Sequence, residues 1–380
     1  MLTGGAFGQT IKIGVSGPFT GPSASMGVAM RGGANIAATE INQAGGIMGR
    51  QVVLAERDDQ ATPELGAQIA QELIGTEHVV ATVGFVNNDV ALAAQRFYQA
   101  AEIPVLNAVA SGAQITHQFP PPNYIFRTAA SDAIEFPAIV QEAIAQRKFH
   151  APAILADSTS DGQAGRKYYL KDLEAAGVKP VADETFNPGD TDVGMRLGLI
   201  RLANADVILT SAKGPDLARI ANAMGRQGWK LPIMGTEGLA TATFIDDALA
   251  NGDGALMPQT FIQAGNTAKR AAFIAMYRRT YRMNRIPSQD AAAQAYDSVY
   301  LLKAAIEQAG STNGRDIRKA LENLRTKVEG VVTTYDRPFS ATDHETIGAN
   351  MLVIGIVRNR HVVAAYEEDL VGDRAVRIKE

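Results

Sequence analysis

Short apolar runs alternate with longer amphipathic stretches from the start of the chain to about residue 128. The runs have the length and residue types of buried parallel strands, and the stretches carry apolar residues at helical spacing. We expect strands at 11–15, 51–55, 78–83 and 103–109, and helices at 26–44, 63–75 and from about 87 to 102. This regular alternation predicts a doubly wound α/β lobe.

The same alternation of strands and helices restarts after residue 128, which predicts a second lobe of the same kind. Its strands are expected at 151–156, 181–186, 205–210 and 231–235, and its helices at 134–146, 165–176, 192–203 and 215–227. The regular alternation of strands and helices then ends. An extended segment is expected at 255–261, helices at 268–283, 290–308 and near 315–324, and strands near 331–334, 351–357 and 361–366. Late helices after a complete second lobe indicate that the chain returns to the first lobe.

Length and composition agree with two globular lobes. The chain has 380 residues, of which 46% are hydrophobic and 20% charged, which suits two domains of ordinary size. The net charge of −4 and the lack of a basic cluster argue against nucleic acid or an anionic membrane as partner. No run of 18 apolar residues occurs, so no membrane span is expected.

Chemistry that depends on cysteine or on metal ions is not expected. The sequence contains no cysteine, which excludes thiol catalysis, zinc–thiolate sites and disulfides. The five histidines are scattered and none is paired at metal-binding spacing. We therefore expect neither a metal nor a cofactor.

The first ten residues are small and uncharged. Ala6 and Gly8 have the spacing that a signal peptidase prefers before its cleavage site. Residues 1–10 are thus expected to be the remnant of a secretory signal, although an unstructured leader unrelated to export fits them equally well.

Motifs of common enzymes are missing. The sequence has no G-x-S-x-G elbow, no phosphate-binding P-loop, no H-E-x-x-H and no G-x-G-x-x-G. Asp58 and Asp59 are adjacent carboxylates at a strand end, which are more often solvated caps than catalytic acids. We expect a protein that is not an enzyme.

A polar helix start follows the buried strand at 78–83. Asn87, Asn88 and Asp89 stand where short polar side chains cap the first free N–H groups of a helix. Those N–H groups and the positive end of the helix dipole can also hold an anion. The sequence alone leaves capping and carboxylate binding both open.

Four stretches resemble a known family. They are residues 11–21, the segment Glu-Ile-Asn-Gln-Ala-Gly-Gly-Ile-Met-Gly at 40–49, Arg-Asp-Asp at 57–59 with Pro63, and Gly-Thr-Glu-Gly at 235–238. Together they are similar to the periplasmic solute-binding proteins of ABC importers of the leucine/isoleucine/valine type. The resemblance extends from about residue 11 to about residue 366, and the segment at 40–49 is its most specific part.

The resemblance implies a type I periplasmic-binding fold, in which three crossovers join two α/β lobes around a ligand cleft. Lobe one would comprise 11–128 and 260–332, and lobe two 129–259 and 333–380. The crossovers would fall near 127–132, 258–262 and 330–339. The resemblance also implies that the protein captures its solute by hinge closure and that a membrane permease recognises the closed form.

The family's ligand contacts can be transferred to positions of this chain. The solute carboxylate would meet the helix start at Asn88, next to Asn87, and the hydroxyl of Ser111 beside the backbone of Val109. The solute ammonium would meet Glu237. Asn88 stands where the family usually has serine or threonine, but it keeps the backbone donor and adds an amide.

Other positions depart from the amino-acid-binding pattern. Two aromatic walls of the family correspond here to Met26 and Asp161, and a third wall position falls near Ala212. Relatives with asparagine at the helix start include binders of aromatic carboxylates, of the benzoate or hydroxycinnamate kind. An aromatic acid is therefore the alternative ligand to an apolar amino acid.

Structural roles compete with ligand binding at several of these positions. Ser111 can bond its own backbone, and Asp161 also fits a turn and helix cap. Met26 fits a packing role at its helix start better than a cleft contact. Glu237 can be a surface acid, although its place after a buried strand favours the cleft mouth.

The combined prediction is a periplasmic, monomeric binding protein that delivers a small carboxylate solute to an ABC permease. The favoured solute is a branched-chain or other apolar amino acid. A cytoplasmic ligand sensor on the same fold is a weaker alternative.

Overall fold

The computed structural model describes residues 10–371 and 376–380, so the expected leader remnant at residues 1–9 lies outside the described residues. The chain first builds a five-stranded parallel sheet in the order β2-β1-β3-β4-β5. Its strands are β1 Ile11–Gly17, β2 Val52–Asp58, β3 Ala81–Gly84, β4 Val105–Asn107 and β5 Ile125–Arg127. The connecting helices are α1 Ala24–Gln43, α2 Pro63–Gly75 and α3 Asn88–Ala101.

A second α/β unit follows without a long connection. Its strands are β6 Pro152–Asp157, β7 Ala182–Phe186, β8 Val207–Ser211, β9 Ile233–Gly235 and β10 Leu256–Gln259. Its helices are α4 Asp132–Val140, α5 Ser160–Ala175, α6 Gly194–Leu202, α7 Gly214–Arg226 and α8 Ala242–Ala248. The buried strands are almost wholly apolar, as expected for strands covered by helices on both faces.

The chain then returns to the first lobe. This segment contains the helices α9 Ala268–Tyr281, α10 Gln289–Ala309 and α11 Gly314–Glu322 and the short hairpin β11 Val328–Glu329 and β12 Thr334–Tyr335. Helix α10 packs along α1, and a Cβ on Gly33 would lie only 1.9 Å from the carbonyl oxygen of Ala292. The absence of a side chain at Gly33 therefore allows the two helix backbones to approach closely.

The last two strands, β13 Val353–Arg358 and β14 His361–Ala364, complete the second sheet. They pair antiparallel at its edge, which gives the order β14-β13-β10-β9-β8-β6-β7. The result is the expected type I periplasmic-binding architecture, two α/β lobes whose second sheet ends in a late hairpin. Among the described residues, no helix is both long and apolar enough to cross a membrane.

The third crossover lies later in the chain than the expected range 330–339. Phe126 of β5 stacks on His344 with ring centroids 4.0 Å apart and meets the edge of Phe339 at 4.9 Å. Arg127 pairs with Glu345 at 2.6 Å. The segment that we expected to open lobe two at residue 333 therefore packs on lobe one, and the chain re-enters lobe two just before Val353.

Helix α10 binds the second crossover and also the segment at 331–332, which precedes the third crossover. Asp290 accepts hydrogen bonds from the N–H groups of Thr260 and Phe261, at 3.1 and 2.8 Å. Two helical turns further on, Asp297 accepts from the N–H groups of Val331 and Val332, at 2.7 and 2.9 Å. Because these carboxylates are buried, the second crossover and the segment at 331–332 are held firmly to lobe one.

Candidate functional site: an acidic cleft between the lobes

A cleft of about 540 Å³ lies between the carboxyl ends of the two sheets. This volume includes space that is open to solvent. The cleft is lined by Met26, Val86, Asn88, Ser111, Asp132, Glu135, Phe136, Asp157, Asp161, Gly162, Ser211, Ala212, Lys213, Thr236, Glu237 and Gly238. Of the eight positions singled out from the sequence, all but Asn87 and Val109 line it.

On the lobe-one side, the cleft meets the start of helix α3. The side-chain oxygen of Asn88 accepts a hydrogen bond from the N–H of Gly112 at 2.9 Å. This bond orients the amide, so that its NH₂ group is the part left to donate to a solute. Asn88 is thus a hydrogen-bond donor at the positive end of a helix, which suits a carboxylate.

Asn87 precedes the helix as its N-cap residue, but its side chain makes no capping hydrogen bond. Its side-chain oxygen is buried and has no partner in the described part of the protein. Asn87 therefore does not make the side-chain capping bond that the sequence left open at this helix start.

Ser111 and Met26 also border the cleft from lobe one. Met26 is 5% exposed and belongs to the core of this lobe, so it combines the packing role with a cleft contact. The side chain of Val109 is buried in the same core and does not line the cleft. The expected contact concerned the backbone of Val109 and stays a prediction.

Glu237 lies on the lobe-two side, directly after strand β9. It begins a short 3₁₀ turn at Glu237–Ala240, and no hydrogen bond or ion pair joins its carboxylate to the described residues. Burial, followed by repulsion from Asp290, raises the pKa of Glu237 to about 8. An unpaired carboxylate with such a pKa is stabilised in its charged form by a solute cation.

Lys213 is a cleft residue that the sequence did not reveal. It stands at the N-cap of α7, and its ammonium group lies 3.1 Å from the carboxylate of Asp161. Burial alone would lower the pKa of Lys213, but the charge and hydrogen bond of Asp161 outweigh it and the pKa is raised. Asp161 therefore forms an ion pair with Lys213 within the cleft wall, and it also lines the cleft.

Helix α4 brings two further carboxylates that the sequence did not reveal. Asp132 and Glu135 lie in its first turn, each 6% exposed, and both line the cleft. Burial raises the pKa of Asp132, with a partial offset from the Ser111 hydroxyl. Burial, and after it the charge of Glu237, raises the pKa of Glu135 well above its usual range.

Asp157 completes the acidic wall at the end of β6. One of its oxygens accepts from the N–H of Thr159 at 3.0 Å, and the other is buried without a partner among the described residues. Burial raises the pKa of this carboxyl group. A sequence signal did exist for Asp157, because polar residues at the carboxyl ends of parallel strands meet at one edge of a sheet.

The cleft as a whole carries an excess of negative charge. Five carboxyl side chains line it, against one lysine. No cluster suited to a metal ion occurs within the ranges 10–371 and 376–380. The arrangement is chemically equipped to bind an organic solute that presents a carboxylate to lobe one and positive charge to lobe two.

Comparison with known proteins identifies the family. The model of the periplasmic binding protein family matches residues 10–358. The leucine-, isoleucine-, valine-, threonine- and alanine-binding protein of Pseudomonas aeruginosa is 28% identical over 318 residues, which cover 82% of each chain.

Solved structures agree with this match. The branched-chain amino acid transporter substrate-binding protein LivJ of Streptococcus pneumoniae, in complex with isoleucine, has a TM-score of 0.82 and 26% identity. That comparison covers 94% of this chain and 100% of LivJ. A solute-binding protein of an ABC transporter from R. palustris in complex with benzoate has the same TM-score at 19% identity, over 94% and 96% of the chains, and shows similarity of fold alone. This chain therefore belongs to the periplasmic binding protein family and is an ABC transporter solute-binding protein rather than an enzyme.

Proposed function

We propose that this protein captures a small α-amino acid in the cleft by hinge closure and delivers it to a membrane permease. The observation that carries the proposal is the pairing of opposite chemistries across the cleft. Asn88 and the start of α3 offer donors for a carboxylate on lobe one, and Glu237 offers an unpaired carboxylate for an ammonium group on lobe two. An α-amino acid carries both groups on one carbon atom.

The relatives support this class of solute. The Pseudomonas protein is named for five amino acids, and LivJ was solved with isoleucine. The lining does not favour an apolar side chain, however. Its apolar side chains are Met26, Val86, Phe136 and Ala212, and the rest of the lining is polar, charged or glycine. The expectation of a branched-chain solute thus has less support than that of an amino acid in general.

An aromatic carboxylate is the second candidate. The benzoate-bound neighbour has the same fold, and Phe136 and Met26 can contact a ring. A carboxylate without an ammonium group leaves Glu237 without a cationic partner, whereas an α-amino acid provides one. The acidic wall therefore favours the amino acid.

Isothermal titration calorimetry with L-amino acids and with benzoate tests the proposal. Glu237→Gln should abolish measurable binding of amino acids, since it removes the partner of the ammonium group, and should spare an aromatic acid. Tight binding of benzoate by the native protein, with no amino acid bound, would refute the amino acid as solute.

Asn88→Asp tests the carboxylate side of the cleft. The aspartate still accepts the hydrogen bond from Gly112 but replaces the NH₂ donor with a negative charge. We expect a loss of affinity of at least about 30-fold, the size typical of a lost or repelled partner in a buried charged contact. Unchanged affinity in calorimetry would mean that the solute carboxylate binds elsewhere.

The transport role implies action in the periplasm as a monomer, after removal of a signal peptide. Fractionation of cells that express the full gene should recover the protein with the periplasmic contents. Recovery with the cytoplasm would favour the ligand-sensor alternative.

A further inference from the structure

We infer that the cleft contains a second cation-binding position, formed by Glu135 and Asp132, and that the solute is an amino acid whose side chain ends in an ammonium or guanidinium group. The inference rests on the proposed function, because it takes the α-carboxylate and α-ammonium groups to occupy Asn88 and Glu237. It adds the chemistry of the side chain, and it departs there from the Pseudomonas relative, which is named for leucine, isoleucine, valine, threonine and alanine.

The first observation is that Glu135 has no partner. Its side chain is 94% buried, as its 6% exposure shows, and it lines the cleft. No hydrogen bond or ion pair reaches its carboxylate from residues 10–371 or 376–380. Buried carboxylates are normally paired or hydrogen-bonded, so an unpaired one on a cleft wall indicates a partner that comes from outside the chain.

The second observation is that the nearby bases are already engaged. Arg127 binds Glu345 at 2.6 and 2.7 Å and donates to the carbonyl oxygens of Ser111 and Gly112 at 2.7 and 2.8 Å. Lys213 is paired with Asp161 at 3.1 Å. Neither base is therefore available to neutralise Glu135.

The third point is the net charge that a bound amino acid brings into the cleft. An α-carboxylate and an α-ammonium group cancel each other, so an apolar amino acid adds no net charge to the cleft. With Glu237 paired to the α-ammonium group, Glu135 and Asp132 would stay together as two buried carboxylates without a cation. A cationic side chain supplies the missing charge, and the first turn of α4 is where it should end.

A protonated carboxyl group is the competing explanation for Glu135. Its raised pKa shows that an empty cleft favours the protonated form. A neutral carboxyl group would instead suit a side chain with a neutral amide, such as that of glutamine. Comparing cationic, amide and apolar amino acids separates these cases.

The experiment is calorimetry at pH 8 with L-lysine, L-arginine, L-glutamine, L-leucine and benzoate. We expect lysine or arginine to bind at least about tenfold more tightly than leucine and glutamine. Equal or tighter binding of leucine or glutamine would overturn the inference and leave the amino-acid proposal standing. Binding of benzoate with no amino acid bound would overturn both.

Variants of α4 and of the turn that extends it localise the effect. Glu135→Gln should weaken the binding of the cationic amino acid at least about 30-fold and change that of leucine less than threefold. Glu142→Gln is the matched control, because Glu142 is also buried but pairs with Arg147 at 2.8 Å away from the cleft. Equal losses for both amino acids in Glu135→Gln would overturn the inference. The preference of the native protein for cationic amino acids tests it independently of any variant.

Discussion

In the proposed mode of binding, Glu237 couples solute binding to the loss of a proton. In the empty cleft its pKa is about 8, mainly through burial and repulsion from Asp290. A solute ammonium group favours the charged carboxylate, so binding below pH 8 must release the proton. The other charged groups that act on Glu237 are Lys213, Asp132, Asp161 and Glu135.

We therefore predict that affinity for the solute rises between pH 6 and pH 8 and levels off above pH 8. For a single released proton, the rise is at most about tenfold per pH unit. Titrations in buffers of different ionisation enthalpy would measure the released proton directly. Affinity that does not change with pH, together with no proton release, would contradict this coupling.

The same carboxyl group should limit the stability of the empty protein. Its pKa is higher in the folded state than the ordinary value of 4.5, so the folded state retains a proton that the unfolded state has lost. The retained proton on Glu237 stabilises the folded state. This stabilisation is complete below pH 4.5 and is lost as the pH rises through about 8. A buried carboxylate is thus forced to ionise at alkaline pH.

Glu237→Gln should therefore raise the melting temperature of the empty protein at pH 8 and have less effect at pH 5. Thermal denaturation followed by circular dichroism would show it. Glu142→Gln breaks an ion pair with Arg147 instead of relieving repulsion. It should therefore not raise the melting temperature. A variant at Glu237 that melts lower at pH 8 would show that the carboxylate is satisfied in the native protein.

Some cleft residues could be predicted from the sequence because each stands in a recognisable local pattern. Asn88 begins a helix after a buried strand, and Glu237 lies in the segment Gly-Thr-Glu-Gly after another. Lys213 also stands between a buried strand and a helix, whereas Glu135 has no such pattern around it. They are ordinary surface-type residues in sequence, and only the packing of α4 and α7 against the cleft makes them unusual.

At the level of elements, the close approach of α1 and α10 depends on Gly33. A Cβ at this position would require the Ala292 carbonyl to move by more than an ångström. We predict that Gly33→Ala destabilises the protein by about 1–3 kcal/mol or more, as overpacking does in cores. Chemical denaturation at equilibrium would measure the loss.

Gly198 provides the matched control for that prediction. It also lies inside a helix, α6, but nothing is found within 4 Å of a Cβ built there. Gly198→Ala should stabilise by about 0.5–1 kcal/mol, because alanine favours the helix more than glycine does. If both variants changed stability equally, helix propensity and not the contact with Ala292 would explain the effect.

Periodicity predicted the elements well where they are long and regular. Helix α2 begins and ends where its pattern and Pro63 indicate. The third crossover was placed too early because residues 336–352 form no long helix or strand with a readable period. Their position is fixed by contacts distant in sequence, such as the stacking of His344 on Phe126.

For the whole molecule, the binding of the second crossover to α10 constrains how the cleft can close. Asp290 ties the second crossover to lobe one, and Asp297 holds the segment at 331–332, which precedes the third crossover. In the proposed closure, lobe two therefore moves about segments that lie beyond these hydrogen bonds. The acidic wall belongs to this moving lobe, while Asn88 stays with the fixed one.

A solute that bridges Asn88 and Glu237 should hold the lobes together, because each lobe supplies one half of its contacts. We predict that a saturating amino acid solute lowers the radius of gyration in small-angle X-ray scattering. Glu237→Gln under the same conditions should keep the value of the empty protein, since the lobe-two contact is removed. Binding detected by calorimetry without any decrease in radius would mean that the solute occupies one lobe only, and that closure is not driven by a bridge across the cleft.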